Sequence, residues 1–545
     1  MRLVSNNPDC FESYLYNLGD NTFRYWTNRM RKFRICYSIA LTACLASVSL
    51  TNARAEIKLP NLLSDHAVLQ RESPIHLWGW ATPGAKLTIR FHNQIASATA
   101  DELGQWATWL APEDAGGPYV LDIDGGAQEG KRELSDLMVG DVWIASGQSN
   151  MEMPLSGFPP TAFVNNADSE IKAADNPMLR LLLVEHKSSD IPLQNISGQW
   201  SQCTPETASK FSAVAYFFGR EIAEKERVAI GLIDASWGGT PIDSWISLDT
   251  LGNNPSLFSA FSNRAKFADQ QANLSAQIAA ERASDAAAKT AGKPVPIHPW
   301  HPEEVSWLPA GLYNGMIAPL SNMSIKGFLW YQGETDSAPL RASHYSVLFP
   351  ALIQDWRTRF EQGNLPFLFV QISSFESHGE DWGAVRDAQR RTLSLANTAM
   401  VVSLDVGTPG NVHPPDKQTV SSRLALAARG LVYGEHVEYA PPLFRQAAIE
   451  GPGIRVWFDN AEQLTTKGKP LEDFELAGSD RNFVAASAVI QGNTIMVSAP
   501  GVLHPRFVRY GWRNVVQTFF YNRQGLPGST FTSEETPQIP SPATE

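Results

Sequence analysis

The sequence predicts an α/β protein in which a parallel sheet, covered by helices on both faces, is flanked by two β-rich segments. Three observations carry this. Short apolar runs broken by Gly and Pro fill residues 56–135 and return over 437–532; strand-like and helix-like stretches alternate between them; and several of those strands end in small-residue turns with polar side chains. A length of 545 residues exceeds one ordinary core, and 43% hydrophobic with 18% charged residues describes a globular chain. A net charge of −12 argues against nucleic acid as partner.

Residues 1–55 read as a leader. Met30 to Arg34 is basic, Ile35 to Leu50 is apolar, and Ala53-Arg54-Ala55 is a small-x-small cleavage site. The apolar run is too short and poorly flanked for a membrane span. A secreted or periplasmic protein cleaved after Ala55 is expected, with Met30 as the start of synthesis. Leu41-Thr42-Ala43-Cys44 offers a lipoprotein alternative, less favoured because the apolar run continues past Cys44. Cleavage leaves Cys203 as the sole cysteine, so no internal disulfide is possible.

Over 56–135, Ile75–Trp80, Lys86–Arg90 and Tyr119–Ile123 are short alternating runs that suggest a β-sandwich. Over 136–436 the pattern changes. Val142 to Ala145 is a β-prone run, Phe211 to Glu224 has helical spacing, and Val228 to Ile233 is a strand. Strands follow at Ile325–Tyr331, Pro366–Ile372 and Met400–Leu404, with helices at Tyr345–Phe360, Trp382–Leu395 and Asp416–Tyr433. Such alternation implies a parallel sheet whose ligands gather at the strands' C-terminal ends. Residues 254–293, rich in Ala, Gln and Ser, read as a helical insertion with little to bury. A C-terminal β domain occupies 437–532, and 533–545 has the composition of a disordered tail.

The strand Val142–Ala145 runs into Ser146-Gly147-Gln148-Ser149. Gly147 permits a sharp turn, and a serine at a strand's C-terminal end can be a nucleophile if a base and oxyanion donors meet it. Alone, Gly-x-Ser is equally the sequence of an ordinary β-turn. The longer string Gly140-Asp-Val-Trp-Ile-Ala-Ser-Gly-Gln-Ser-Asn-Met-Glu152 resembles the first block of the sialate O-acetylesterase family. Leu62–Arg71, Val508–Trp512 and Tyr521–Gly528 are similar to that family's opening and closing motifs. The resemblance implies a flavodoxin-like SGNH-hydrolase domain and removal of acetyl groups from sugar hydroxyls. The 16 Trp and 13 Tyr suit an O-acetylated carbohydrate substrate, because such rings lie flat on pyranose faces, although most serve the core.

Other stretches at strand ends supply partners. Ser236-Trp237-Gly238-Gly239-Thr240 offers backbone N–H groups, and Gln332 offers a side-chain amide. The resemblance assigns Ser149, Gly239 and Gln332 to the oxyanion hole and His413, in Asn411-Val412-His413-Pro414, to the general base. An imidazole titrating near 6.5 suits that role. His301 and His378 are weaker alternatives. Where the family commonly has Asp two residues before the histidine, this chain has Asn411. The orienting group is therefore open between Glu334, Asp405, Asn411 and a backbone carbonyl in a Ser–His dyad. Arg386 is a candidate for a substrate carboxylate, with a structural ion pair as its plainer role. No cofactor or metal is expected: no His-Glu-x-x-His, no thiolate cage and no Gly-x-Gly-x-x-Gly follows a strand. The rival substrate is acetylated xylan or another plant polysaccharide, and the non-enzymatic rival is a glycan-binding protein with a dead hydrolase core.

Overall fold

A computed structural model describes residues 56–253, 277–296, 298 and 304–535. The leader, the first part of the insertion (254–276), His301 and the tail from 536 lie outside the described residues. The β-rich start comprises β1 (Val68–Gln70), β2 (Ile75–Trp80), β3 (Lys86–Phe91), β4 (Gln94–Thr99), β5 (Gln105–Leu110) and β6 (Gly116–Asp124). It feeds β7 (Lys131–Gly147), a strand of 17 residues. The first half of β7 pairs antiparallel with β6, and its apolar second half is buried in a parallel sheet. Composition changes near residue 136, but the strand runs straight through.

That sheet adds β8 (Asn176–Leu183), β9 (Trp200–Cys203), β10 (Ala229–Ser236), β11 (Gly327–Tyr331), β12 (Phe367–Gln371) and β13 (Thr398–Val402). Its order is β13-β12-β11-β7-β10-β8-β9, and every neighbouring pair is parallel except β8 with β9. The β10, β11 and β12 runs are buried along their whole length, which is why they read as unbroken apolar stretches. β8 extends an edge the sequence left unassigned; its Arg180 is buried and paired with Asp136 at 3.2 Å.

The helices that frame this sheet include α1 (Ser149–Glu152), α2 (Ala213–Glu226), α3 (Pro339–Phe360), α4 (Trp382–Thr392) and α5 (Lys417–Leu431). Trp143 of β7 meets Phe218 of α2 edge-on at 5.1 Å. Gly327 of β11 pairs with Trp143, so Phe328 points to the other face, where it packs on Trp356 of α3 at 5.3 Å. Helices thus cover both faces. α3 starts six residues before the predicted Tyr345 because Pro339 is preorganised for a first helical turn.

A second, seven-stranded antiparallel sheet occupies Leu443 to Thr532. Its core is an aromatic cluster in which Phe474, Tyr510, Phe520 and Phe531 touch. Residues 277–290 are helical and mostly exposed. Among the described residues, no helix is long and apolar enough to cross a membrane.

Candidate active site

The site forms where β7 turns into α1. Gly147 sits at φ 131°, and a Cβ there would run into the Tyr331 carbonyl of the neighbouring strand. The turn places Ser149 at the first position of α1, where no intrahelical carbonyl reaches its N–H. His413 lies on the loop between β13 and α5, 264 residues away, yet its Nε2 is 2.8 Å from Ser149 Oγ. Asn411 Oδ1 accepts the His413 backbone N–H at 2.9 Å, while Asn411 Nδ2 donates to the Thr161 carbonyl at 3.0 Å. Phe158 meets the imidazole edge-on at 5.5 Å. Burial, and then the Lys417 charge, push the His413 pKa down to about 4, so the ring is neutral and able to accept a proton near pH 7.

Among the described residues, no carboxylate bonds to the His413 ring. Asp405 is not its partner: both its oxygens are held by Arg423 at 2.7 and 2.8 Å. Glu334 is not either, for its Oε1 accepts from Asn150 Nδ2 at 2.6 Å. Asn411 acts on the backbone of His413 and not on the ring. The sequence missed the residue that joins these parts. Asn150, buried beside Ser149, donates to Glu334 and to the Val412 carbonyl (3.0 Å), and its Oδ1 accepts from Lys417 Nζ. One side chain therefore ties the serine turn, the histidine loop, the end of β11 and the start of α5. Burial raises the Glu334 pKa; burial also lowers that of Lys417 to about 7, against the pull of Glu334.

The residues expected to donate to an oxyanion have different surroundings. Gly238 lies against the serine: a Cβ on it would be 3.2 Å from Ser149 Cβ. The Gly238 N–H is taken by Glu152 Oε2 at 2.5 Å, and Gly239 turns through φ 68°. Gln332 departs from expectation. Its side chain is fully buried, its Nε2 donating to the Thr240 carbonyl (3.1 Å) and Asp336 Oδ2 (2.6 Å), and Tyr345 donates to its Oε1. It braces the loop instead of presenting an amide to the serine. Glu152 also pairs with His186 at 3.2 Å, and His186 stacks on Trp237 with centroids 4.3 Å apart. Burial works against charge on His186, but Glu152 and Asp234 outweigh it and the pKa rises.

Arg386 does not face a substrate. It is fully buried, and its guanidinium donates to the carbonyls of Ile372, Ser373, Gly511, Arg513 and Asn514 at 2.8–3.2 Å. This cage of carbonyls, not an ion pair, fastens α4 to the C-terminal sheet. His378 is exposed, away from these contacts. Asn150 and Glu152 stood in the serine string and Lys417 four residues after His413, so proximity to the motif was the available signal; His186 carried none.

Residues 139–294 and 288–429 match the family model described as carbohydrate esterase, sialic acid-specific acetylesterase. Sialate O-acetylesterase of Rattus norvegicus is 30% identical over 478 residues, covering 81% of this chain and 85% of that protein. The Homo sapiens sialate O-acetylesterase is 30% identical over 421 residues, 69% of this chain and 71% of that protein. The crystal structure of a novel carbohydrate acetylesterase from Xanthomonas citri aligns with a TM-score of 0.74 at 34% identity, covering 88% of this chain and 99% of that one. With an apposed serine and histidine at the C-terminal edge of its sheet and this span of similarity, the chain belongs to the sialic acid-specific acetylesterase family of carbohydrate esterases and is a carboxylic-ester hydrolase.

Proposed function

We propose that this esterase removes acetyl groups from sugar hydroxyls, with O-acetylated sialic acid as substrate, through an acyl-enzyme formed on Ser149. The 2.8 Å contact between Ser149 Oγ and His413 Nε2 carries the reading. Ser149 Oγ attacks the acetyl carbonyl as His413 takes its proton. The tetrahedral oxyanion is held by the Ser149 and Gly239 N–H groups. His413 then protonates the departing sugar oxygen, and a water deprotonated by the same ring releases acetate and restores the serine. The pair works as a dyad, with Asn150 and Asn411 fixing the histidine loop. If β8 and β9 are set aside as an added edge, the parallel strands run in the order 2-1-3-4-5, which supports a flavodoxin-like SGNH domain. The sequence pattern of residues 1–55 supports export with cleavage after Ala55.

The second reading is an acetylated neutral polysaccharide such as xylan. It is favoured by the engagement of Arg386 in a carbonyl cage, which removes the cation singled out for a sialic acid carboxylate. Acetate release from acetylated sialic acids and from acetyl-xylan oligomers separates the two. Ser149→Ala is expected to lower p-nitrophenyl acetate turnover by about 10³-fold or more. Full turnover by that variant would remove the mechanism.

A further inference from the structure

Strands β2 and β5 pair as a two-stranded ribbon whose inner face is core: Ile75, Leu77 and Leu110 are buried. By alternation the other face should carry polar side chains. It carries rings instead. His76 pairs with Trp109, Trp78 with Ala107, and Trp80 with Gln105, so the four rings lie on one side. His76 stacks between Trp109 (4.2 Å, 14°) and Trp78 (5.0 Å, 19°), and Trp109 is 58% exposed. His76, Trp78 and Trp80 line a groove of about 340 Å³ together with Asp101, Gln105, Gln194 and Asn322; Trp78 is itself buried at the back, and Trp109, stacked on His76, stands just outside the groove. Positions 76 to 80 span about 13 Å of strand, the reach of a short oligosaccharide.

The groove is separate from the esterase site. Asn322, whose carbonyl bonds His76 Nδ1 at 3.0 Å, precedes β11, whereas Ser149 lies past the C-terminal ends of β7 and β11. Flat rings beside amide and carboxylate groups match a pyranose, which offers an apolar C–H face and a rim of hydroxyls. Charge narrows the class. Asp101 lines the groove, no described lysine or arginine does, and burial lowers the His76 pKa against the Asn322 carbonyl, leaving that ring neutral. An anionic sugar would meet a carboxylate with no cation to offset it.

We propose that the face formed by Trp80, His76 and Trp109, backed by the buried Trp78, is an accessory binding site for a neutral glycan chain, the uncharged part of a carbohydrate whose acetylated sugar is processed elsewhere on the molecule. It rests on the carbohydrate esterase assignment but not on the Ser149 mechanism. The test uses the full chain carrying Ser149→Ala, run in affinity gels containing soluble arabinoxylan, galactomannan or mixed-linkage β-glucan, with polysialic acid as the anionic comparator. At least one neutral polysaccharide should retard the protein, and Trp109→Ala and Trp80→Ala should each weaken that binding at least ten-fold. The same two substitutions in the otherwise unaltered enzyme should leave p-nitrophenyl acetate turnover unchanged, which shows that they fold. The proposal is overturned if no neutral polysaccharide retards the protein, if both variants bind as tightly as the parent, or if polysialic acid is the ligand they lose. Loss of esterase activity would count against the mechanism alone, since binding is read without Ser149.

Discussion

At the scale of single residues, the site depends on keeping His413 uncharged without a carboxylate to orient it. Burial and the Lys417 charge both act in that direction and hold its pKa at about 4. With His413 as the proposed base, the acid limb of kcat/KM should fall near pH 4 instead of near 6.5. Lys417→Met removes the cation, so the His413 pKa rises and the limb moves to higher pH; a limb that stays in place would contradict the coupling. Stability follows the same sign. The unfolded ring takes up a proton at pH 6.5 and the folded one does not until about 4, so this contribution is lost as pH falls through that window. Asn150 should act on geometry: Asn150→Ala is expected to lower kcat about 10²-fold with little change in KM, measured with p-nitrophenyl acetate. Ser149 and His413 were legible because short strings at strand ends carried them. Gln332 and Arg386 were placed correctly along the chain but misread in role. Sequence gives a donor and its position, not the acceptors that Thr240, Asp336 and five carbonyls supply.

At the scale of elements, two turns and one clamp hold the site. The loop after β10 must lie against the serine turn, and Gly238 allows this by having no side chain. In Gly238→Ala the new methyl would stand 2.8 Å from Glu152 Oε2 and 3.2 Å from Ser149 Cβ, which displaces either the loop or Ser149. Turnover should drop at least 10-fold while thermal stability changes little; wild-type turnover would show that the loop has room to give. The clamp is Arg386, which gathers carbonyls from the end of β12 and from residues 511–514. Arg386→Met removes five donated hydrogen bonds from a buried joint, leaving the Gly511 carbonyl only the Thr530 hydroxyl and the Asn514 carbonyl only the Phe375 N–H. A loss of about 3 kcal/mol or more in denaturant unfolding is expected, with acetate release per folded molecule retained. These contacts also explain a gap in the sequence reading: strands and helices show in their periodicity, whereas the joints between them are side chain to backbone, with no periodic trace.

For the whole molecule, the change in composition near residue 136 suggested a boundary, and the alternation after it gave the parallel sheet. What periodicity could not show is that β7 belongs to both sides of that boundary. Its Leu134 and Leu137 pair with Leu121 and Tyr119 of β6, its Met138 to Gly140 pair with β1, and its last residues lead into the Ser149 turn. Val68 of β1 packs against Gly231 of β10, so the β-rich start reaches the centre of the parallel sheet. Deleting residues 56–130 would uncover Leu134, Leu137, Val139 and Val142 and leave a long, flat, apolar strand edge, the arrangement that invites aggregation. Residues 277–292 bury little, and replacing them with a short Gly-Ser linker should cost almost nothing. The truncated chain 131–545 is therefore expected to be insoluble or to lack a cooperative unfolding transition, while the linker variant keeps soluble yield and p-nitrophenyl acetate turnover. A soluble, active 131–545 would mean that β7 holds the serine turn by its parallel neighbours alone, and that the β-rich start is a detachable glycan-binding module, not part of the esterase scaffold.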